Sequence, residues 1–489
     1  MNIDDAKNEL ISHLEKGREW LLITQTGKSF ALVVGEIELA CERGKILFGF
    51  PSDAGFQTWR VTDYKFEKQK IHFDLSKNFG AEKTKIELVP RVSAREFSES
   101  VELARIEKAN KIARLIAASA PHIKLVRVSL KQENGRLAQI FIADSQDKQT
   151  LVLTDVSAAL APEIILTKAI LELEKLRARR KNPIEKIWIL AERKPARNLR
   201  KLLAMLKKNW SANIQIVEFS ENGNKDLQTL SPFTVSDLWR GKPAKISPVE
   251  NSNLSKTARK IIALAPKKID AIFTKHGETL RFQGLPFVRV RRFGETEKVW
   301  FGTEARRQIL NEKTFQEFSD LIENLKIHRR FDAPNQRHAF YTLAPEAGLE
   351  AVLRRDIRRL DANLILSPVY NQFRAGRDKI DLLALRKDGR LIVIELKTTA
   401  DRAGVFQALD YWRKIEIERR AGNLQKAKIF VDAQIKNEPA LIYHVAPMLA
   451  FDRDFKFMAQ TVLPEIEIYR FDLNENWREN LRVLRREKI

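Results

Sequence analysis

Between Gly376 and Thr399 the chain reads GRDKIDLLALRKDGRLIVIELKTT. Its chemistry-bearing residues are Asp381, Glu395 and Lys397, set in or beside apolar runs that read as two strands. An isolated charge in such a run costs several kcal/mol unless something compensates it. Side chains alternate across a strand, so Glu395 and Lys397 share one face while Ile394 and Leu396 share the other. A tight turn at Asp388-Gly389 pairs the two runs and brings Asp381 roughly opposite Glu395. A Lys397–Asp381 ion pair is the plain compensation. Two carboxylates and one ammonium nevertheless leave a negative excess, which a divalent cation relieves. Mg²⁺ (or Mn²⁺) is a hard ion held by one or two carboxylates together with water and phosphate oxygens. Such an ion polarises a phosphate and lowers the pKa of bound water, and a lysine beside it orients that water or stabilises charge developing on phosphorus oxygens.

The elements that must position these residues form a recognisable series. The helix PEAGLEAVLRRDIRRL precedes the strands LILSPVY, KIDLLAL and RLIVIELK. The helix FQALDYWRKIEIE, the strand KIFVDA, a mostly helical stretch from Leu441 to Ala459 and the strand EIEIYRF follow. An earlier part of the chain has the same order: a helix over Glu99–Ser119, strands IKLVRVSL, RLAQIFIAD and QTLVLTDV, the helix PEIILTKAILELEKL, the strand KIWILAE, a basic helix from Arg197 and the strand IQIVEF. This predicts an internal structural duplication with little sequence identity; chance similarity of two generic α/β units is the alternative. Aligning LVLTDVS with IVIELKT puts Thr154 at the glutamate, Val156 at the lysine and Asp144 at the first acid. The first unit therefore lacks a metal pair and is expected to serve packing, dimerisation or grip.

The C-terminal residues also resemble the PD-(D/E)XK nuclease superfamily, in its RecB-like and NucS-like branch, where a GR-x-D…ELK…Q-x3-Y run is characteristic. Asp381 matches the first acid and Glu395 and Lys397 the ExK pair. Gln407 and Tyr411 match the trailing helix motif and, four residues apart, share a helix face. Glu350, in GLEAVL, matches the acid of the N-terminal helix. The resemblance covers about Ala344 to Asp432. It implies a restriction-endonuclease-like fold with a mixed central sheet, Mg²⁺ (or Mn²⁺) ligated by Asp381, Glu395 and the Leu396 carbonyl, and a cleft lined by Glu350. It further implies that Lys397 assists the attacking water and that Gln407 and Tyr411 position the strand or the lysine. The spacing GRDKID is two residues longer than the usual GRID, which leaves Asp378 as a rival to Asp381 and the role of Arg377 open; Arg374 and Arg377 are candidate nucleic-acid contacts.

The expected fold class is thus α/β and multidomain. Residues 1–95 read as a small N-terminal antiparallel β module, sheet or barrel, and 96–221 as a degenerate restriction-endonuclease-like α/β unit. Residues 222–340 read as a linker and a small α/β module, and 341–489 as the PD-(D/E)XK domain. In the third segment Ser255 is a helix-cap candidate. The run RVRRFGETEKVWFG mixes cations with aromatics, so Arg289, Arg291 and Arg292 are candidate nucleic-acid contacts; a hairpin with a solvated basic face is the plainer reading.

Bulk properties bound the remaining classes. The 489 residues exceed one ordinary core. A net charge of +23 favours a polyanion, nucleic acid rather than an anionic membrane face; with the nuclease resemblance, the expected partner is DNA in preference to RNA, and no membrane. The single cysteine, Cys41, rules out an internal disulfide and points to a reducing compartment. The opening MNIDDAKNEL lacks the basic flank and apolar stretch of a signal peptide, and no apolar run reaches membrane-spanning length, so a cytoplasmic protein is expected. The histidines are scattered without ligand spacing, His444 reading as a surface or satisfied residue. No Walker loop and no G-x-S-x-G elbow occur. The expectation is a Mg²⁺-dependent nuclease of DNA, with upstream modules for binding and homodimerisation left open. Its rivals are a non-catalytic binder on the same fold, an RNase, and a ligand-gated defence effector.

Overall fold

In the computed structural model the description covers residues 3–489 except 18, 25–28, 43, 53–54, 68–69, 78–79, 81, 91–93, 131–135, 158–159, 180–183, 220–226, 241–253, 275–276, 294–295, 304–305, 367–373, 376–377, 380 and 431–432. For 52, 55, 94–100, 274, 292–293, 296, 306, 374–375 and 378–379 it covers the backbone alone. The chain is a mixed α/β protein built on several sheets.

At the N-terminus the helix Ile3–Leu14 packs Leu10 and Leu14 onto an antiparallel sheet of seven strands. The strand Lys70–Lys77 shows how the sequence selects this arrangement: Ile71, Phe73 and Leu75 face the core on every second residue. The run SFALVVGEIELA forms two strands, Ser29–Val33 and Glu38–Glu42. A 3₁₀ turn over Val34–Glu36 separates them, closed by the Val33 N–H donating to Glu36 Oε2 at 3.1 Å. In the middle of the chain an antiparallel sheet of five strands, spanning Ile269–Thr274 to Arg306–Ile309, carries the helix Lys256–Ala263. Ser255 caps that helix by accepting from Ala258 N at 3.1 Å.

Two six-stranded sheets share one topology. The first is ordered β6-β5-β4-β3-β2-β1, with β1 Lys124–Ser129, β2 Leu137–Ala143, β3 Gln149–Asp155, β4 Ile187–Glu192, β5 Ile214–Phe219 and β6 Gln228–Thr229. The second is ordered β7 through β12, with β7 Leu364–Leu366, β8 Leu382–Arg386, β9 Leu391–Leu396, β10 Leu441–Pro447, β11 Ile468–Leu473 and β12 Val483–Lys488. In each, the first two pairings are antiparallel, the next two parallel and the last antiparallel. Both faces of the central strands are covered, which is why they read as nearly unbroken apolar runs. Leu383 and Val393 pack with Phe406 and Leu409 on one face, Leu382 and Ile394 with Leu349 and Leu353 on the other.

The second sheet departs from expectation in three places. The segment from Leu441 begins as the central strand β10, not as a helix, and every residue from Leu441 to Pro447 is buried. A continuous apolar run carries no period by which strand and helix are told apart. Of KIFVDA, the described residues form no strand: Lys428–Phe430 follow the short helix Asn423–Lys426 as a turn, and Ala433 lies outside any element. The last strand, β12, is an edge that its basic sequence VLRREK did not announce.

The β2–β3 and β8–β9 hairpins are the same structure. Asp144 N donates to Lys148 O at 3.2 Å and Arg386 N to Arg390 O at 2.8 Å. Asp147 and Gly389 take left-handed φ of 56° and 90° at the same point of each loop. The turn at Gly389 is therefore a short loop with a left-handed residue, longer than a two-residue hairpin. Superposing the loops puts Gln139 at Asp381, Leu153 at Glu395 and Asp155 at Lys397. The alignment expected from sequence, with Thr154, Val156 and Asp144, is out of register.

Candidate active site

Asp381 immediately precedes β8. Leu382 pairs with Ile394, so Asp381 falls opposite Glu395. Its Oδ2 accepts from Leu396 N at 2.9 Å, a bond that fixes the first acid against the backbone of β9. Glu395 is fully buried at 0% exposure. Apart from the Lys397 ammonium, 2.9 Å from Oε1, neither of its carboxylate oxygens meets a hydrogen-bond partner among the described residues. Burial first, and then the nearby charge of Asp381, pushes the Glu395 carboxyl well above the usual carboxylate range.

Lys397 follows β9 and lies on the same face. Its Nζ is 3.1 Å from Asp401 Oδ2 and donates to Gln407 Oε1 at 2.7 Å. Burial disfavours its charge, yet Glu395 and Asp401 outweigh that and hold it protonated, above the ordinary lysine range. Gln407 Nε2 in turn donates to Tyr411 Oη at 3.0 Å. Both side chains come from the helix Gly404–Arg420, whose four-residue spacing stacks them on one face. The helix starts with glycine for a steric reason. A Cβ at Gly404 would sit 2.8 Å from His444 Cε1 and 3.3 Å from Lys397 Cε.

The structure thus gathers Asp381, Glu395, Leu396, Lys397, Gln407 and Tyr411. It adds two residues that the sequence reading missed. Asp401 holds Lys397 and accepts from Ala403 N at 2.9 Å in the turn that leads into the helix; an aspartate just ahead of an apolar helix was the available signal. His444 is neither at the surface nor satisfied. It lies on β10 directly beside Glu395, is buried, and its Nδ1 has no hydrogen-bond partner among the described residues. Burial, aided by Lys397, lowers it to about 3, so the ring is neutral. Its only sequence signal is a histidine in an apolar run; its place beside Glu395 depends on the parallel pairing of distant strands.

Glu350, on the helix Pro345–Arg355, is buried and accepts from Arg281 Nη1 at 2.8 Å. Arg281 also donates through Nε to Asp270 Oδ2 at 2.9 Å, so this ion pair ties the five-stranded sheet to the C-terminal unit. Of the expected basic contacts, Arg291 is already engaged within the molecule. Its Nη2 donates to Phe56 O at 2.9 Å and its guanidinium lies 4.6 Å over the Phe56 ring. Arg289 is half-buried and near enough to Glu36 to act on its charge. Arg292 is placed by its backbone in the strand Leu285–Phe293. Arg374 and Asp378 are placed by backbone only, in a two-stranded ribbon, and Arg377 lies outside the described residues.

Hard oxygen donors at Asp381, Glu395 and the Leu396 carbonyl, with Glu395 Oε2 buried and meeting no hydrogen-bond partner among the described residues, fit a divalent cation. Among the described residues no group of three or more His, Cys, Asp or Glu side chains forms a metal cluster, so such an ion would take its remaining ligands from water and substrate. No helix among the described residues is long and apolar enough to cross a membrane.

No protein-family profile matches the chain, and no curated protein does. Among solved structures, EndoMS in apo form aligns over 45% of this chain and 95% of its own, at 9% identity and a TM-score of 0.19. A likeness at that level carries no argument about fold or function.

Proposed function

We propose that the chain is a metal-dependent nuclease that hydrolyses phosphodiester bonds of DNA on a restriction-endonuclease-like C-terminal domain. The observation that carries this reading is the convergence of Asp381, Glu395 and Lys397 on one patch. There a fully buried glutamate has, among the described residues, no partner but the lysine. The sequence resemblance to the PD-(D/E)XK superfamily, which adds Gln407 and Tyr411 to the same residues, supports it. Asp381, Glu395 and the Leu396 carbonyl would hold Mg²⁺ or Mn²⁺, which when bound supplies a Lewis acid for the phosphate and a more acidic water. Lys397, kept cationic and aimed by Gln407, stabilises negative charge developing on the phosphate oxygens. Tyr411 holds the Gln407 amide, so Gln407 and Tyr411 act as positioning residues. Glu350 contributes by fixing its helix through Arg281. The upstream modules contact phosphates, which set position without reading sequence.

The test is cleavage of duplex DNA, single-stranded DNA and RNA with Mg²⁺ or with chelator. Wild-type protein is expected to cut DNA only with the ion, and Asp381→Ala or Glu395→Ala to lower the rate by ~10³ while the fold is retained. Cleavage that survives both substitutions would place the chemistry elsewhere.

A further inference from the structure

We propose that the chain folds as its own dimer with a single hydrolytic centre, and therefore nicks one strand of duplex DNA. This inference rests on the nuclease reading above and adds its outcome. The halves repeat one plan. A helix (Ile3–Leu14 or Lys256–Ala263) covers an antiparallel sheet, and helices then lead into a six-stranded sheet of the same order and sense.

The halves also meet as two-fold partners do, equivalent element against equivalent element. The first crossover helices, Pro162–Arg177 and Gly404–Arg420, pack together, and one apolar core runs through both units, with Leu166, Ile170 and Leu199 beside Phe406, Leu409 and Trp412. The second crossovers, leading from β4 to β5 and from β10 to β11, join by an antiparallel bridge between Leu206 and Val462. There Lys207 N donates to Thr461 O, and Leu463 N to Met205 O, each at 2.9 Å. The antiparallel modules touch as well, through Phe56 and Trp300, whose rings lie 6.1 Å apart. A continuous core of this kind is what obligate dimers place between subunits. Here the chain already fills it.

Chemistry breaks the symmetry. At the three positions equivalent to Asp381, Glu395 and Lys397 the first unit has Gln139, Leu153 and Asp155. Leu153 is fully buried in the apolar core. The Asp155 carboxylate is taken up by Ser157 N and Oγ at 2.7 Å and by Leu160 N at 2.9 Å. The two strands of a duplex are themselves related by two-fold axes, so a two-fold frame offers each strand one unit. Only one unit cuts.

The experiment digests supercoiled plasmid and single-stranded circles with the full chain in Mg²⁺ or Mn²⁺, beside a measurement of particle mass by light scattering. Nicked circles are expected to accumulate before any linear product and to vanish in Asp381→Ala, with a mass of one chain, 56.5 kDa. Full-length linear DNA as the first product would overturn the nick, and a two-chain particle would overturn the fused dimer. A cut single-stranded circle beside an intact plasmid would remove the nick but leave the nuclease reading. No cut in either DNA would remove both.

Discussion

At the scale of single residues, Glu395 keeps its ionisation at odds with its surroundings. A folded-state pKa raised above the unfolded value stabilises the protein fully below the ordinary carboxylate range and ceases to do so as pH rises through the folded value. Metal-free protein is therefore expected to lose stability with rising pH above that range. Glu395→Gln removes this loss. Lys397 keeps Asp401 and Gln407 as partners, so the variant should be more stable than wild type at pH 8 by about 1–3 kcal/mol while cutting nothing. Denaturation with chelator at pH 5 and pH 8 checks the sign; equal pH profiles would contradict it. Gln407→Ala removes the amide that aims Lys397 while Glu395 and Asp401 still hold it, and should lower kcat ~10-fold with little change in KM, read by steady-state kinetics. At this scale the sequence was legible where geometry is local. Strand alternation put Glu395 beside Lys397, and helical spacing put Gln407 over Tyr411. His444 was not legible, because its contact with the site crosses from β9 to β10, strands separated by a whole crossover.

At the scale of elements, the β8–β9 hairpin sets the register that places Asp381 opposite Glu395. Gly389 makes its loop feasible. It has φ of 90°, and a Cβ there would lie 2.8 Å from Gln434 O. Gly389→Ala is expected to destabilise the protein by about 1–2 kcal/mol and to lower activity with it, since strain at φ > 0 adds to the close approach. Urea unfolding measures the first effect, and an unchanged midpoint would contradict it. The sequence signalled the loop through Asp388-Gly389 but not its length, and that length moved the equivalent positions in the first unit from Thr154 and Val156 to Leu153 and Asp155. It mistook β10 for helix because a strand buried on both faces has no polar alternation to show.

At the scale of the whole molecule, a buried ion pair joins modules that the sequence treated as separate. Arg281→Met takes one cation away from buried Glu350, whose charge also acts on Arg354, and from Asp270, and is expected to cost about 3–5 kcal/mol. Arg281→Met with Glu350→Leu should recover most of that loss. A double variant as unstable as the single one would show that the pair does more than compensate itself. The net charge of +23 makes a second prediction: affinity for duplex DNA, by fluorescence anisotropy, should fall ~10³-fold or more between 50 and 200 mM salt. A flat salt dependence would exclude phosphate contacts as the source of binding. The charge was plain in composition, but which arginines are free to meet phosphate was not. Arg291 is committed to Phe56 of the N-terminal module, a contact between residues far apart in the chain.

The central claim is that Asp381 and Glu395 hold one divalent ion. Anomalous diffraction from a crystal soaked in Mn²⁺ tests it most directly. The account predicts one peak in reach of both carboxylates and the Leu396 carbonyl, about 2.0–2.2 Å from each ligating oxygen, with Lys397 moved off Glu395. A crystal with no peak there, and with Glu395 still closed on Lys397, would contradict it.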